Sequence, residues 1–397
     1  MRIALIADAF PPLRSSGAVQ LRDLAREFAR QGHEVTVLVP APSQRRGWTV
    51  EERDGLDIVR LKAPRTKGTN HLRRLIGEFL MPFAMLRNYR ASPLAGRRFD
   101  GIVWYSPTIF LGPIVKALKR ESRCPTYLII RDIFPEWAAD MGLMGRGGVY
   151  RLLKAVADFQ YSLADTIGVQ TPGNLAFFER WQRRAGTRLE VLHNWLTELS
   201  DSGCSIDLAT TSFAGRRIFV YAGNMGLAQG TGRLLDLAEQ LQGNDTIGFV
   251  FVGRGDDTAR LREDARRRRL MNVLFYDEID PDEMTGLYRQ CSLGLVALDP
   301  RHTTHNIPGK FISYMHAGLP VLASVNPGND MATLVASAGV GRVSEDPTGA
   351  NLKGLALAMM EDELLDPHVT DRCTTLARQL FSSETAAAQI IRALSRQ

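Results

Sequence analysis

The side chains able to do chemistry gather in five turns, each following a short apolar run. In DAFPPLRSSGAVQ (8–20), Ser15, Ser16 and Gly17 precede an amphipathic stretch. There, backbone N–H groups can bind an anion, or a serine can simply cap the helix. In RDIFPEWAADMG (131–142), Arg131, Asp132 and Glu136 bring charge to a strand end, either as an internal ion pair or toward a ligand. YAGNMGLAQG (221–230) places Gly223, Asn224, Met225 and Gly226 between a strand and a helix, where glycine lets backbone approach a phosphate. FVGRGDD (251–257) repeats the theme with Arg254 between two glycines. The richest segment is THNIPGKFISYMHAGLPVLAS (304–324), in which His305 and Asn306 feed a helix that opens near Lys310 and carries Ser313. A lysine at a helix start adds a point charge to uncapped N–H donors, a combination suited to a diphosphate.

Positioning such turns takes parallel strands, because ligands collect at the carboxyl ends of strands in open α/β sheets. Apolar runs at 2–8, 33–40, 100–106, 126–132, 166–171 and 188–194 alternate with helical stretches near 18–31, 112–121 and 146–164. The alternation lapses over 198–216 and restarts with runs at 217–223, 247–253, 272–277, 293–298 and 320–325. Two successive strand–helix series predict two Rossmann-like, doubly wound α/β domains facing across a cleft. The expected boundaries are 1–198 for the first domain, 199–216 for a linker, 217–375 for the second domain and 376–397 for a closing helix that returns to the first.

Composition narrows the class. The chain has 397 residues, 45% hydrophobic and 23% charged, which suits a two-domain globular enzyme. Four dispersed cysteines without a CxxC pair fit a reducing cytoplasm and no cysteine-built zinc site. His302 and His305 lack a carboxylate-rich partner set at ligand spacing, which argues against a metal held by these histidines, and no cofactor is expected. Neither a G-x-G-x-x-G fingerprint nor a P-loop is present, which argues against a nicotinamide enzyme or a P-loop ATPase. The formal charge of +6 is uneven: residues 1–200 hold 30 Lys+Arg against 19 Asp+Glu, while the rest is net acidic. A basic first half predicts an anionic partner. The segment HLRRLIGEFLMPFAMLRNYR (71–90) mixes arginines with large apolar residues, as an interfacial helix on anionic lipid would, or as a core helix with a basic face. The run Arg266–Arg269 lacks interleaved aromatics and is expected to be a solvated helix face rather than a nucleic-acid site.

Together, the 221–230 turn, the FVGRG turn and KFISYMHAGLPVLAS (310–324) resemble the second domain of family 4 GT-B glycosyltransferases. RIALIADAFPP…SGA and HNW (193–195) resemble that family's first domain and its exit, so the likeness covers nearly the whole chain. RDIFPEWAADMGL, GNMGLAQG and HNIPGKF…GLPVLA further resemble the WbuB subgroup, which implies transfer of N-acetyl-fucosamine in O-antigen assembly. The resemblance implies a UDP-sugar donor, a lipid-diphosphate-linked saccharide acceptor, retention of configuration and no metal. It carries Gly17, Gly223, Asn224, Gly226, Lys310 and Gly318 over directly. Two glutamates that relatives carry eight positions apart are here His305 and Ser313, and a serine is too short to hold a ribose as glutamate does. Asp132 becomes the acid/base candidate for the acceptor, flanked by Arg131 and Glu136. His305 and Lys310 join it on the catalytic side, while Met225, Arg254, Asn306 and Ser313 join the donor side. Alternatives are a UDP-sugar 2-epimerase of the same fold and a non-catalytic nucleotide- or nucleic-acid-binding protein. The expected place of work is the cytoplasm, peripheral on the inner face of the cytoplasmic membrane. The transferase reading requires residues 223–226 and Lys310 to converge.

Overall fold

The structure, a computed structural model, describes residues 1–13, 15–66, 68, 70–197, 203–226, 229–301 and 307–396. His302, His305 and Asn306 lie outside the described residues. The chain divides into two compact units, Met1–His193 with Ser383–Gln397, and Asn194–Ser382.

The first unit is built on β1 (Arg2–Ile6), α1 (Ser16–Arg30), β2 (Glu34–Pro40), β3 (Trp48–Arg53), β4 (Leu56–Leu61), α2 (His71–Arg90), β5 (Gly101–Ser106), α3 (Gly112–Ser122), β6 (Thr126–Ile130), α4 (Glu136–Asp140), α5 (Gly148–Tyr161), β7 (Thr166–Val169), α6 (Glu179–Ala185) and β8 (Arg188–Val191). Its eight strands are ordered β3-β4-β2-β1-β5-β6-β7-β8, and all neighbours run parallel except β3 against β4. All six residues of β5 are buried, as a parallel strand with both faces covered requires. The strand order reverses beside β1, with β2 on one side and β5 on the other, so the crevice after β1 and β5 is the unit's topological switch point. One face of the sheet carries α2, α3 and α5, whose Met81, Met85, Ile114, Leu118, Leu153 and Ala157 share a core with Ile6, Trp104 and Leu128.

The second unit comprises β9 (Arg217–Ala222), α7 (Gly232–Gln240), β10 (Ile247–Val252), α8 (Thr258–Arg267), β11 (Val273–Tyr276), α9 (Met284–Tyr288), β12 (Leu293–Ala297), α10 (Gly309–His316), β13 (Val321–Ser324), α11 (Asp330–Ala338), β14 (Gly341–Ser344), α12 (Leu352–Leu365) and α13 (Val369–Leu380). Its sheet is fully parallel in the order β11-β10-β9-β12-β13-β14, and it reverses between β9 and β12. The last helix, α14 (Ser383–Ser395), packs on α1 of the first unit, where Gln389 donates to the Val191 carbonyl at 2.8 Å.

The boundaries differ from those expected at 198/199 and 375/376. The described part of the expected linker, 203–216, belongs to the second unit. Its Ile206, Leu208 and Phe213 are buried in that unit's core. A Cβ at Gly248 would come within 2.6 Å of the Phe213 ring, so strand and anchor are matched in shape. The chain leaves the first unit at His193 and re-enters it at Ser383, and Leu196 pairs with Ser382 between these points.

Candidate functional site

At the second unit's switch point the β9–α7 turn meets the start of α10. The turn is held by the next strand's turn through backbone alone. Gly223 N–H donates to Val252 O at 2.9 Å, Met225 N–H to Arg254 O at 2.8 Å, and Asp257 N–H to Met225 O at 3.0 Å. This contact leaves no room for a side chain. A Cβ at Gly253 would lie 2.1 Å from Gly223 O, and Gly253 has φ +139°, a region L side chains rarely adopt. The two glycine turns therefore form one interlocked layer.

Lys310 lies against that layer. A Cβ at Gly223 would touch Lys310 Cε at 3.7 Å, so the convergence required of 223–226 and Lys310 is present. The ammonium donates to Tyr221 Oη at 3.0 Å and Gln229 Oε1 at 3.0 Å, and stands 4.4 Å from the Tyr221 ring centroid. Tyr221 in turn donates to Asn224 O at 2.7 Å, and Gln229 N–H donates to Gly226 O at 3.0 Å. Lys310 is thus tied to both ends of the Asn224–Gly226 turn. Among the described residues no carboxylate pairs with it, and desolvation lowers its pKa to about 7. Burial likewise pushes the Tyr221 hydroxyl well above its ordinary value, keeping it a neutral donor. Below them, Tyr314 accepts from Ala222 N–H at 3.1 Å and donates to Val220 O at 3.1 Å, fixing α10 to the end of β9.

The N-terminus of α10 has Pro308 as its N-cap and no side-chain cap, and Gly309 is exposed. Such an end presents N–H donors and the positive pole of the helix. Ser313 does not reach into this group; its hydroxyl turns back to Gly309 O at 3.2 Å. Met225 faces the core and is fully buried, and its N–H and C=O are both used, so it acts as the pin of the turn. The Arg254 side chain stands 78% exposed and pairs with Glu278 at 2.8 Å; only its carbonyl joins the turn. Sequence reasoning missed Tyr221 and Gln229. The only available signal was their place at the two ends of the glycine turn.

In the first unit, Ser15 caps α1, its hydroxyl accepting from Ala18 N–H at 3.4 Å, and the first turn holds no acidic residue. Ser16 is exposed, and a Cβ at Gly17 would come within 3.3 Å of the Tyr105 ring of β5. Arg131 is spent inside the unit: it donates to Leu192 O at 2.9 Å and His193 O at 3.4 Å, holding the end of β8, and burial lowers its pKa. Asp132 is exposed at the turn beyond β6, and the surrounding protein raises its carboxyl, with Arg131 opposing. Glu136 is turned inward, and its Oε1 bonds the Lys154 ammonium of α5. The arginine run is neutralised locally: Arg267 pairs with Asp264 at 2.6 Å, and Arg268 with Asp236 at 2.6 Å. Among the described residues no three His, Cys, Asp or Glu side chains form a metal-sized cluster.

Two doubly wound units in series, the second with a glycine turn and a lysine-bearing helix start at its switch point, define the GT-B class of glycosyltransferase fold. Residues 17–195 match the glycosyl transferase 4-like domain and residues 216–349 match the glycosyl transferases group 1 domain. The chain is a glycosyltransferase built from these two family domains in order. It is 25% identical to WcaI of Escherichia coli (strain K12), named as a colanic acid biosynthesis glycosyl transferase, over 75% of this chain and 76% of that one. Solved structures share the fold. The sucrose-phosphate synthase of Thermosynechococcus elongatus superposes with a TM-score of 0.72 at 16% identity, covering 98% of this chain and 97% of that one. Anabaena HepE in complex with UDP and glucose superposes with a TM-score of 0.69 at 16% identity over 100% of both chains.

Proposed function

We propose that the chain transfers a sugar from a UDP-sugar to a lipid-diphosphate-linked saccharide in surface polysaccharide or O-antigen assembly. The donor sugar is an N-acetylated 6-deoxyhexosamine, N-acetyl-fucosamine in the WbuB-like reading. The observation that carries the donor half is the Lys310 ammonium tied to both ends of the Asn224–Gly226 turn, beside an uncapped helix start. Departure of the sugar builds negative charge on the diphosphate. Donors already fixed in place, aimed where that charge develops, lower the barrier without reorganising. The solved complex of HepE with UDP and glucose supports a UDP-linked donor, and the name of WcaI supports a surface polysaccharide as the product.

On the acceptor side, Asp132 takes the proton of the attacking hydroxyl, a role that suits a carboxyl whose pKa is raised by its surroundings. Transfer proceeds with retention and without metal or cofactor, at the inner face of the cytoplasmic membrane. The test is a thermal-shift panel of UDP-, GDP- and dTDP-sugars, followed by product analysis with and without a lipid-linked acceptor. UDP-sugars alone should stabilise the chain, and sugar should move only when acceptor is present, with its anomeric configuration kept and EDTA without effect. Stabilisation by GDP- or dTDP-sugars alone would overturn the donor assignment, and conversion of donor without acceptor would make the chain an epimerase.

A further inference from the structure

The helix layer of the first unit leaves large apolar side chains in water on two separate helices. On α2 the exposed positions form a stripe at helical spacing, Arg73, Ile76, Leu80, Phe83, Arg87 and Arg90, with Phe79 beside it at 6.1 Å from the Phe83 ring. Its middle is apolar and its ends are arginine. On α5 the outward residues Val149, Leu152 and Ala155 are apolar as well, and Leu152 is 59% exposed. Helix α3 bridges the two: it packs on α2, and a Cβ at its Gly112 would lie 2.7 Å from Phe159 of α5. The ammonium of Lys116 stands 5.5 Å from the centroid of that same ring. All three helices cover one face of the sheet, so both apolar stripes belong to one surface.

The charges around the stripes identify what covers them. Each of the three helices is net positive. The acidic residues there are engaged, Glu78 by Arg74 at 2.9 Å and Glu121 by Arg90 at 2.5 Å. Arg73, Arg87, Arg120 and Arg151 are exposed and make no ion pair among the described residues. From this arrangement we infer that the outer faces of α2, α3 and α5 form one docking surface for an anionic lipid bilayer. Ile76, Leu80, Phe83, Val149 and Leu152 enter the acyl boundary, while the arginines meet headgroup phosphates. A second copy of the chain is disfavoured as occupant, since a two-fold pairing of this face would set arginines against arginines. No described helix is long and apolar enough to cross a membrane, so the contact is with the surface. The surface extends beyond the 71–90 segment that the sequence pointed to.

The choice of a bilayer agrees with a lipid-linked acceptor, but the experiment uses neither donor nor acceptor, so either reading can fail without the other. The full chain is sedimented with vesicles of phosphatidylcholine containing phosphatidylglycerol, and with pure phosphatidylcholine, at low and high salt. Two paired variants, Leu80→Ser with Phe83→Ser and Val149→Ser with Leu152→Ser, probe the helices separately; Arg87→Gln with Arg120→Gln probes charge. Unchanged thermal midpoints establish that these exposed changes leave the fold intact. The expected result is binding to anionic vesicles at least about tenfold above neutral ones at low salt, lost at high salt. Each apolar pair should lower it about tenfold, and the arginine pair should erase the anionic preference. Failure to sediment with anionic vesicles, or retention of wild-type binding by both apolar pairs, overturns the inference. So does a wild-type dimer in light scattering that the apolar variants dissolve, which would assign the face to a second copy.

Discussion

Diphosphate binding at Lys310 is expected to be coupled to uptake of a proton. In the ligand-free chain its pKa is lowered to about 7 by desolvation, so at pH 7.5 about three quarters of the molecules hold it neutral. A bound diphosphate at the glycine turn favours the charged form and returns the group to the ordinary lysine range of about 10. Binding then takes up the missing proton, about 0.75 per UDP at pH 7.5. The dissociation constant should rise about eightfold from pH 7.5 to 8.5, close to the tenfold per unit limit of about 1.4 kcal/mol. Over that range the terminal phosphate of UDP, with a second pKa of about 6, no longer titrates. Isothermal calorimetry in two buffers of different ionisation heat reads both the constant and the proton count. Lys310→Met should bind UDP weakly with a flat pH profile, and Lys310→Arg should give a flat profile as well. A wild-type constant that does not change between the two pH values, or a slope that survives in Lys310→Met, would refute the assignment of the ammonium to the diphosphate. Folding gives an independent sign. Between pH 7 and 10.5 the unfolded chain binds the proton and the folded chain does not, so this group makes stability rise with pH through that window. Below pH 7 the folded chain carries the buried charge. Lys310→Met should therefore bind UDP worse yet be more stable at pH 6.5, by roughly 1–3 kcal/mol.

Gly253→Ala should cost roughly 2–4 kcal/mol and abolish UDP-induced stabilisation, because its methyl would lie 2.1 Å from the Gly223 carbonyl. Thermal scans with and without UDP check both parts. Glu136→Gln should lower stability by roughly 1–3 kcal/mol through its lost pairing with Lys154, while kcat of the folded enzyme stays near wild type. A large kcat loss at unchanged midpoint would instead return Glu136 to the acceptor side. Asp132→Asn should reduce turnover by about 100-fold or more with UDP affinity unchanged. Near-full turnover in that variant would remove Asp132 from the chemistry.

The strand–turn–helix rhythm was legible because buried parallel strands are continuous apolar runs, as in IGFVFV of β10, all six residues of which are buried. The β3–β4 hairpin was not read, since β3 is an edge strand whose Glu51, Glu52 and Arg53 face water and break the pattern. Its signal was Asp54-Gly55, both at positive φ (56° and 73°), the turn that two-residue hairpins favour. The domain crossing was misplaced because small polar residues around 203–216 mask three widely spaced anchors, Ile206, Leu208 and Phe213. At the candidate donor site, glycines and Lys310 were legible from strand-end logic. Tyr221 was not: its place in the continuous apolar run of β9 marks it as core, and only the fold shows its hydroxyl passing under the turn to Asn224 O. Arg131 and Glu136 looked like ligand groups because their partners, the Leu192 carbonyl and Lys154, are 61 and 18 residues away in sequence.

The distribution of free backbone donors suits this turn, among several glycine turns, to an anion. In the β9–α7 turn, the N–H groups of Gly223 and Met225 are consumed by Val252 and Arg254 of the neighbouring turn. Those of Asn224 and Gly226, one residue further in each case, make no hydrogen bond among the described residues, and Asn224 is exposed. The uncapped start of α10 adds further N–H donors, and Lys310 adds a charge linked to the turn's own carbonyls through Tyr221 and Gln229. Since Asn224 O and Gly226 O already accept from Tyr221 and Gln229, the turn is left with surplus donors. A surplus of fixed donors beside a lysine whose charged form is disfavoured by desolvation suits an anion, which both the donors and the ammonium would hold. Within the turn, Met225 fixes the backbone by packing, whereas Asn224 and Gly226 leave their N–H groups as donors. Loss of packing at Met225 should therefore appear first as lost stability, and a change at Asn224 first as lost diphosphate affinity.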